Sequence, residues 1–412
     1  MGGYLLRHRD FRLLWGGETI SELGSQVSGL ALPLVAVRVL HATTFEVGSL
    51  TAASSLGFLL VGLPAGAWAD RLRRRRLMIA ADVGRLAMMA SVPVTYAFGA
   101  SSMVQLYVVA FAAGVLTLFF DVSCQSYLPF LVGLENVAEG NAKLTGSAEA
   151  AQIGGPSLAG VLVQAIGGPY AVAVDAASFL VSAVALGSVR AAEPAPVVPA
   201  GERAPVRKEI GEGLRYVFGQ PLLRAIAMTT AWSNLFSGLM TAVEIVFLVR
   251  VVHAAPGIIG LLLAAVGVGG LIGATCSSPL ARRLGGARAT MLGIGCNLAA
   301  LVIPLTRPGA GLVFFAGGYG VTAFGTVVYN VNQLSFRQRL TPERLLGRMN
   351  ATMRFVVWGV LPIGALLGGA AGTTVGLRPS LWLAAVGEAL GGAWLVMSPM
   401  RHMRDFPGHR LR

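Results

Sequence analysis

Apolar stretches of about 20 residues recur along the whole chain and are separated by short polar segments. A helix needs roughly 20 apolar residues to cross a bilayer core about 30 Å thick, and windows of this length can be placed twelve times. The predicted spans cover residues 13–37, 47–68, 77–98, 102–120, 144–166, 170–187, 225–249, 258–280, 289–306, 312–329, 351–373 and 380–398. The pattern therefore predicts an all-α integral membrane protein with twelve transmembrane helices.

The composition supports a membrane class. The chain of 412 residues is 55% hydrophobic and 12% charged, whereas soluble proteins average about 25% charged residues. Lys and Arg outnumber Asp and Glu by 32 to 19, which gives a formal charge of +13. These basic residues flank the apolar stretches, so we expect the lipid bilayer as their partner and no nucleic acid. Arg far outnumbers Lys, which is typical of GC-rich bacterial genomes and predicts a bacterial inner (plasma) membrane.

Basic residues gather in alternate loops, which predicts the orientation of the chain. Arg7 and Arg12 precede the first span, Arg73 to Arg76 follow the second, and Arg401 and Arg404 follow the last. Lys and Arg concentrate on the cytoplasmic side of membrane proteins. We therefore predict that both termini are cytoplasmic and that the number of spans is even.

One clear change of composition divides the chain. Residues 193–205 read EPAPVVPAGERAP, which is too rich in Pro for a helix and too polar for the bilayer. In the next segment Val206, Ile210, Leu214 and Phe218 recur at helical spacing, which indicates an amphipathic helix on the cytoplasmic surface. We predict a six-helix bundle at 1–189, a cytoplasmic linker with the amphipathic helix at 190–220, and a second six-helix bundle at 221–412.

The two predicted bundles are related by an internal repeat. A shift of 212 residues aligns positions 21–72 with 233–284 without gaps and gives 17 identical pairs among 52 positions. The identities include a Val-Arg-Val-x-His-Ala motif that contains His41 in one copy and His253 in the other. The two copies lie an even number of spans apart, so they share one orientation in the membrane. This arrangement predicts two parallel repeats.

The loop after the second span reads GAWADRLRRRR over residues 66–76. It resembles the signature of the major facilitator superfamily at this loop, and the resemblance extends over essentially the whole chain. It implies the major facilitator fold, and it implies that Gly66, Asp70 and Arg71 latch a cytoplasmic gate. In the second copy of the repeat Arg282 replaces the Asp, so that copy cannot form the same pair.

The fifth span contains AQIGGPSLAG, residues 151–160, which is similar to the antiporter signature of drug-exporting facilitators. Pro156 removes a backbone donor, while Gly155 and Gly160 permit close packing, so we expect a bent helix against a neighbour. Two positions that hold Gly in the signature are occupied here by Ala151 and Ala159. Generic packing of small residues therefore remains an alternative explanation of this motif. The resemblance favours export over uptake.

Three further stretches point to one branch of the superfamily. DAASFLVSA (175–183), EGLRYVFGQPLLR (212–224) and RQRLTPERLLGRMNATMRF (337–355) resemble the branch that contains enterobactin exporters and macrolide efflux pumps. Many facilitators carry an Arg for proton relay in the fourth span, but this chain offers only Gln105 there. The resemblance therefore does not carry the proton-relay role of that Arg over to this chain.

Polar residues inside predicted spans are costly and usually face a cavity or a partner. Facilitators line a central cavity with helices 1, 4, 7 and 10, so the resemblance makes the polar residues of spans 1 and 7 candidates for the substrate and proton path. They are Glu18, Glu22, Gln26, Asn234, Thr241 and Glu244. The alternative is that Glu18 lies at the cytoplasmic interface and Glu244 at the outer rim, where water solvates both. Asp82 and Arg85, three residues apart, are expected to form a structural charge pair.

These features predict a secondary active transporter that exports a small amphipathic or hydrophobic compound, such as a drug, macrolide or siderophore, by alternating access and proton exchange. A facilitator-type importer and a membrane sensor or assembly protein without transport remain alternatives. The chain has no phosphate-binding loop and no catalytic or metal-ligand motif, so we expect no enzyme activity, cofactor or metal. The predicted partners are a small-molecule substrate and protons, and we expect a monomer.

Overall fold

A computed structural model describes residues 4–69, 72–191, 193 and 206–405 of the chain. Within these residues a four-residue helix, Tyr4–Arg7, precedes twelve long helical segments. The segments are α1 (Arg9–Arg38), α2 (Thr44–Ala69), α3 (Arg74–Ala97), α4 (Met103–Val132), α5 (Val137–Ile166), α6 (Gly168–Gly187), α7 (Pro221–Arg250), α8 (Pro256–Leu284), α9 (Gly286–Gly295, continued by the 3-10 helix Cys296–Leu305), α10 (Leu312–Leu340), α11 (Glu343–Trp358 and Leu361–Thr374) and α12 (Leu377–Leu390). The predicted all-α membrane class with twelve long helices is confirmed.

Eleven of these segments are long and apolar enough to cross a membrane, judged over the described residues. The twelfth, α5, has 30 residues, but Glu139, Lys143 and Glu149 make its first half more polar. Five segments depart clearly from the predicted bounds. α4 continues past residue 120 to Val132 and α10 continues past residue 329 to Leu340, because both helices extend in polar sequence beyond their apolar windows. α5 begins at Val137 and α11 at Glu343, before the predicted starts at 144 and 351, and α12 ends at Leu390, before the predicted end at 398.

The chain forms two compact units. Unit 1 contains residues 1–200 and 254–264, and unit 2 contains residues 201–253 and 265–412. In unit 1, α1 packs on α5 and α6, α3 packs on α4 and α6, and α2 packs on α4. In unit 2, α7 packs on α11 and α12, and α9 packs on α10 and α12, while Gly269 and Gly273 bring α8 against α10. Each pair of packed helices in unit 2 corresponds to a pair in unit 1 whose helix numbers are lower by six, as the sequence repeat predicts.

The repeated His residues share an unusual backbone conformation. His41 follows the end of α1 with a φ of 51°, and His253 follows the end of α7 with a φ of 56°. They are the only non-glycine residues with positive φ in the described part of the chain. Beyond His41 the Ala42 N–H donates to the Ala36 carbonyl at 2.9 Å, which closes the turn. The repeat thus preserves a left-handed turn, a conformation in which His is found more often than most residues.

This backbone role predicts the effect of substitution at both positions. We expect His41→Gly and His253→Gly to keep the stability of the protein, because Gly adopts the left-handed conformation without strain. His41→Val and His253→Val should each lower the free energy of unfolding by about 1 kcal/mol. Apparent melting temperatures in detergent measure the effect, with His402→Val as the control outside the repeat. Gly variants that lose as much stability as the Val variants would instead assign the role to the imidazole, which both substitutions remove.

The predicted amphipathic helix is present as Val206–Gly219, which we call the linker helix. It packs against the first part of α11, and Glu212 of the linker helix forms an ion pair with Arg348. The Tyr216 hydroxyl donates to the Leu340 carbonyl at 3.2 Å, and Val217 is fully buried. One face of the linker helix is therefore covered by unit 2. Its position at the cytoplasmic surface stays a prediction.

Candidate functional site

The carboxyl groups of α1 lie beside α4 in unit 1. Glu18 and Glu22 are one helical turn apart, and both side chains are partly exposed. The Cys124 thiol of α4 donates to Glu18 Oε2 at 3.3 Å. The structure thus places the Glu18 carboxyl and a buried thiol at the α1–α4 contact, with Glu22 one turn further along α1.

Gln26 continues the polar face of α1 and meets the helix 5 motif directly. A Cβ atom added at Gly155 of α5 would collide with the Cβ and Cγ atoms of Gln26, so these two helices touch at this point. Further along α5, Gly160 lies against Gly257 and Gly260 at the start of α8, while the Pro156 carbonyl faces Gly260. The motif therefore packs α5 closely against two helices. Ala151 and Ala159, which stand in place of the expected glycines, are both buried.

Adjacent glycines of α5 offer a matched test of this packing. We expect Gly155→Ala to lower the free energy of unfolding by about 1–3 kcal/mol, because the new methyl group overpacks the contact with Gln26. Gly154→Ala is the control, because nothing lies within 4 Å of a Cβ at that position. This control should be neutral or stabilise the helix by about 0.5–1 kcal/mol. Melting temperatures in detergent compare the two variants, and equal values would show that the Gly155 contact is not tight.

Asp82 and Arg85 form a buried ion pair on α3. Arg85 Nη2 lies 2.5 Å from Asp82 Oδ1, and the two side chains are 4% and 0% exposed. The guanidinium group lies over the rings of Phe120 and Phe179, with centroid distances of 4.6 and 4.3 Å. It also donates to Thr117 Oγ1 at 3.3 Å. Helices α4 and α6 therefore hold the predicted charge pair from both sides.

The candidates in unit 2 have different surroundings. Glu244 of α7 is 7% exposed and accepts a hydrogen bond from the Tyr319 hydroxyl of α10. Within the described residues no Lys or Arg forms an ion pair with this carboxyl. Asn234 Nδ2 donates to the Val357 carbonyl at 2.8 Å, close to the interruption of α11, so its amide has a structural partner. Thr241 is exposed.

A second carboxyl of unit 2 lies in α12. Glu388 Oε1 accepts a long hydrogen bond of 3.5 Å from Asn297 Nδ2 of α9. The carbonyl oxygen of the neighbouring Gly387 accepts a hydrogen bond of 2.8 Å from Trp232 Nε1 of α7. Glu388 therefore faces the contact of α12 with α9 and has a neutral partner, as Glu244 does.

The predicted cytoplasmic gate falls largely outside the described residues. Asp70 and Arg71 lie in the gap after α2, and Gly66 lies within α2. The start of α3 is described and is held by Glu193, whose carboxylate accepts from the N–H groups of Arg74 and Arg75 at 2.9 and 3.1 Å. A carboxylate at a helix N-terminus satisfies free donors and complements the helix dipole. This contact ties the segment after α6 to α3.

The carboxyl groups of Glu18, Glu22 and Glu244 can each accept a proton or pair with a cation. Across the described residues no three His, Cys, Asp or Glu side chains are grouped as metal ligands. Sequence reasoning missed Cys124 and Tyr319, because neutral residues in a membrane helix carry no signal of their partners.

Comparison with known proteins relates this arrangement to transport. The family described as transmembrane secretion effectors matches the chain over residues 4–407. The multidrug efflux pump Tap of Mycolicibacterium fortuitum is 26% identical over 400 residues, which cover 91% of this chain and 92% of Tap. The enterobactin exporter EntS of Escherichia coli (strain K12) is 26% identical over 424 residues, which cover 98% of this chain and 95% of EntS.

A solved structure shows the same fold. A bacterial homologue of the iron transporter ferroportin, in an inward-facing state, matches with a TM-score of 0.75 at 18% identity. The match covers 94% of this chain and 98% of the homologue. The predicted branch of the major facilitator superfamily is confirmed by the family match and the relatives together. The chain belongs to the transmembrane secretion effectors, multi-pass membrane transporters of the major facilitator superfamily that are related to a drug efflux pump and an enterobactin exporter.

Proposed function

We propose that the protein exports a small amphipathic or hydrophobic compound across the bacterial inner membrane in exchange for protons, by alternating access. The observation that carries the proposal is the pair of carboxyl groups on α1, Glu18 and Glu22, inside a membrane-spanning helix. Charged groups at this depth are costly unless they take part in an ion or proton path. The efflux pump and the exporter among the relatives support export as the direction.

The coupling step follows from ordinary proton binding. A proton enters from the outer side, binds a carboxylate of α1 and leaves to the cytoplasm, while the substrate moves outward. Substrate and proton compete for the same carboxylate, so binding of one weakens binding of the other by the same factor. We expect the protein to act as a monomer. We place both termini in the cytoplasm, in agreement with the distribution of its basic residues.

Transport in inside-out membrane vesicles tests the proposal. An imposed acid-inside pH gradient should drive accumulation of at least one member of a panel of ethidium, erythromycin and enterobactin, and a protonophore should abolish it. Vesicles with an inactive chain provide the background. Accumulation driven only in right-side-out vesicles would support the importer instead. Absence of energy-dependent movement in both orientations would favour a sensor or assembly role.

A further inference from the structure

A buried carboxyl group without an ion-pair partner lies at the contact between α1 and α6 in unit 1. Asp175 of α6 is 1% exposed, and none of the ion pairs among the described residues includes it. The buried cation of this unit, Arg85, is already paired with Asp82 at 2.5 Å. A buried carboxylate is costly unless a cation or hydrogen-bond donors compensate its charge. The hydrogen bonds of Asp175 therefore decide what else the carboxylate needs.

The hydrogen bonds at Asp175 are few. The Ser178 hydroxyl, one turn along α6, lies 3.2 Å from Asp175 Oδ1 and 2.7 Å from the Asp175 backbone carbonyl. A hydroxyl has one proton to donate, and the shorter contact with the carbonyl is the usual bond of a Ser within a helix. The other carboxylate oxygen, Oδ2, is buried and has no hydrogen-bond partner among the described residues. The carboxylate is therefore left without a strong donor on either oxygen.

A face of α1 with small side chains closes the other side of this contact. A Cβ atom added at Gly24 would collide with Ser178 Oγ and Asp175 Oδ1, so both oxygens face α1. Ser28, one turn further along the same face, is 3% exposed, and its hydroxyl has no hydrogen-bond partner among the described residues. Val35, two turns beyond Ser28, packs on the first turn of α6. The Ser28 hydroxyl therefore lies between two points at which the helices touch.

The second copy of the repeat packs the corresponding contact without a charge. Phe236 of α7 corresponds to Gly24, because the two positions are 212 residues apart. Its ring lies against Gly387 of α12, where an added Cβ atom would collide with the ring. A large apolar side chain on one helix and a glycine on the other are thus sufficient to pack this pair of helices. The fold does not require the Asp175 carboxyl, which favours a role in binding.

We propose that Asp175, Ser178 and Ser28 form a binding site for one small monovalent cation, Na⁺, between α1 and α6. Carboxylate and hydroxyl oxygens are the ligands that hard cations prefer. One carboxylate supplies one negative charge, so a monovalent ion balances it, whereas a divalent ion would leave a net charge buried. The 3.2 Å between Asp175 Oδ1 and Ser178 Oγ allows one small ion to contact both oxygens. The site goes beyond the proposed proton exchange and is independent of it.

The stability of the purified full-length protein in detergent tests the site without a transport substrate. Apparent melting temperatures are compared in NaCl, KCl and choline chloride at equal concentrations. A ligand that binds the folded state stabilises it, so we expect NaCl to raise the melting temperature above the values in the other two salts. Binding of radioactive Na⁺ provides a second measurement. Unlabelled NaCl should displace the bound ion, and choline chloride should not.

Four variants locate the ion. Asp175→Asn keeps the shape of the side chain and removes its charge. It should raise the Na⁺ concentration for half-maximal stabilisation by about tenfold or more, where tenfold corresponds to about 1.4 kcal/mol of binding free energy. Ser178→Ala and Ser28→Ala should each raise this concentration by a smaller factor. Ser188→Ala is the matched control, because this exposed hydroxyl after α6 donates to the Val184 carbonyl, so the variant should bind Na⁺ like the wild type.

The outcomes separate the site from its alternatives. Equal melting temperatures of the wild type in the three salts, without Na⁺ binding, would overturn the site and leave Asp175 as a protonated acid. Full Na⁺ dependence in a monodisperse Asp175→Asn protein would place the ion elsewhere and would also overturn it. If that variant does not fold, unchanged Na⁺ binding in both Ser178→Ala and Ser28→Ala would overturn the site. Loss of gradient-driven accumulation in vesicles would concern the proposed function alone, because this test uses neither substrate nor proton gradient.

Discussion

Glu22→Gln is expected to lower gradient-driven accumulation in inside-out vesicles by about tenfold or more, while the protein remains folded in the membrane. Glutamine has the shape of a protonated carboxyl, so it can fill the same place on α1, but it cannot give up or accept the proton. Proton and substrate compete for one carboxylate, so their binding is coupled. Without this carboxylate, substrate binding no longer depends on the proton gradient.

The control for this prediction is a carboxyl outside the spans. Glu135 is exposed between α4 and α5, so Glu135→Gln removes one negative charge without touching α1. Glu18→Gln extends the comparison, because its carboxyl has the Cys124 thiol as an additional partner. Accumulation in Glu22→Gln equal to that of Glu135→Gln would leave export intact and exclude Glu22 from the proton path.

The helices could be predicted from the sequence because the bilayer imposes one strong pattern. An apolar window of spanning length identifies a membrane helix, and most of the observed bounds lie within about four residues of the prediction. The prediction stopped too early in α4, because Asp121 and Gln125 lower the hydropathy of its last turns. Helix formation beyond the bilayer depends on packing, which the apolar pattern does not record. Cys124 and Tyr127 of this extension are buried in the core.

The candidate site was predicted only in part, because its residues have partners far away in the sequence. The intramembrane positions of Glu22 and Glu244 single them out as candidates. The partner of Glu18 is 106 residues away at Cys124, and that of Glu244 is 75 residues away at Tyr319. Thiol and phenol groups are ordinary in membrane helices, so only the packing of α4 on α1 and of α10 on α7 identifies them. Asp82 and Arg85 were paired from their spacing of three residues, but the aromatic rings around them were not foreseen.

The contact between Tyr319 and Glu244 leads to the second large effect. Tyr319→Phe removes the hydroxyl that donates to a carboxyl which is 7% exposed. A buried polar group left without its partner costs about 1–3 kcal/mol. We therefore expect Tyr319→Phe to lower the free energy of unfolding by this amount, measured as a lower apparent melting temperature in detergent. Tyr216→Phe, which loses only a hydrogen bond to the Leu340 carbonyl, is the matched control and should cost less.

A double-mutant cycle separates this hydrogen bond from general packing. Glu244→Leu removes the carboxyl, so the hydroxyl of Tyr319 then has no partner, whereas the combined variant Tyr319→Phe/Glu244→Leu leaves two apolar side chains in contact. The combined variant should be more stable than the sum of the two single changes predicts, by about 0.5–3 kcal/mol. Additive losses would show that the two groups do not interact in the membrane. Glu244→Gln keeps a hydrogen-bond acceptor for the Tyr319 hydroxyl but cannot exchange a proton. If Glu244 also carries protons, this variant should keep its stability and lose gradient-driven accumulation.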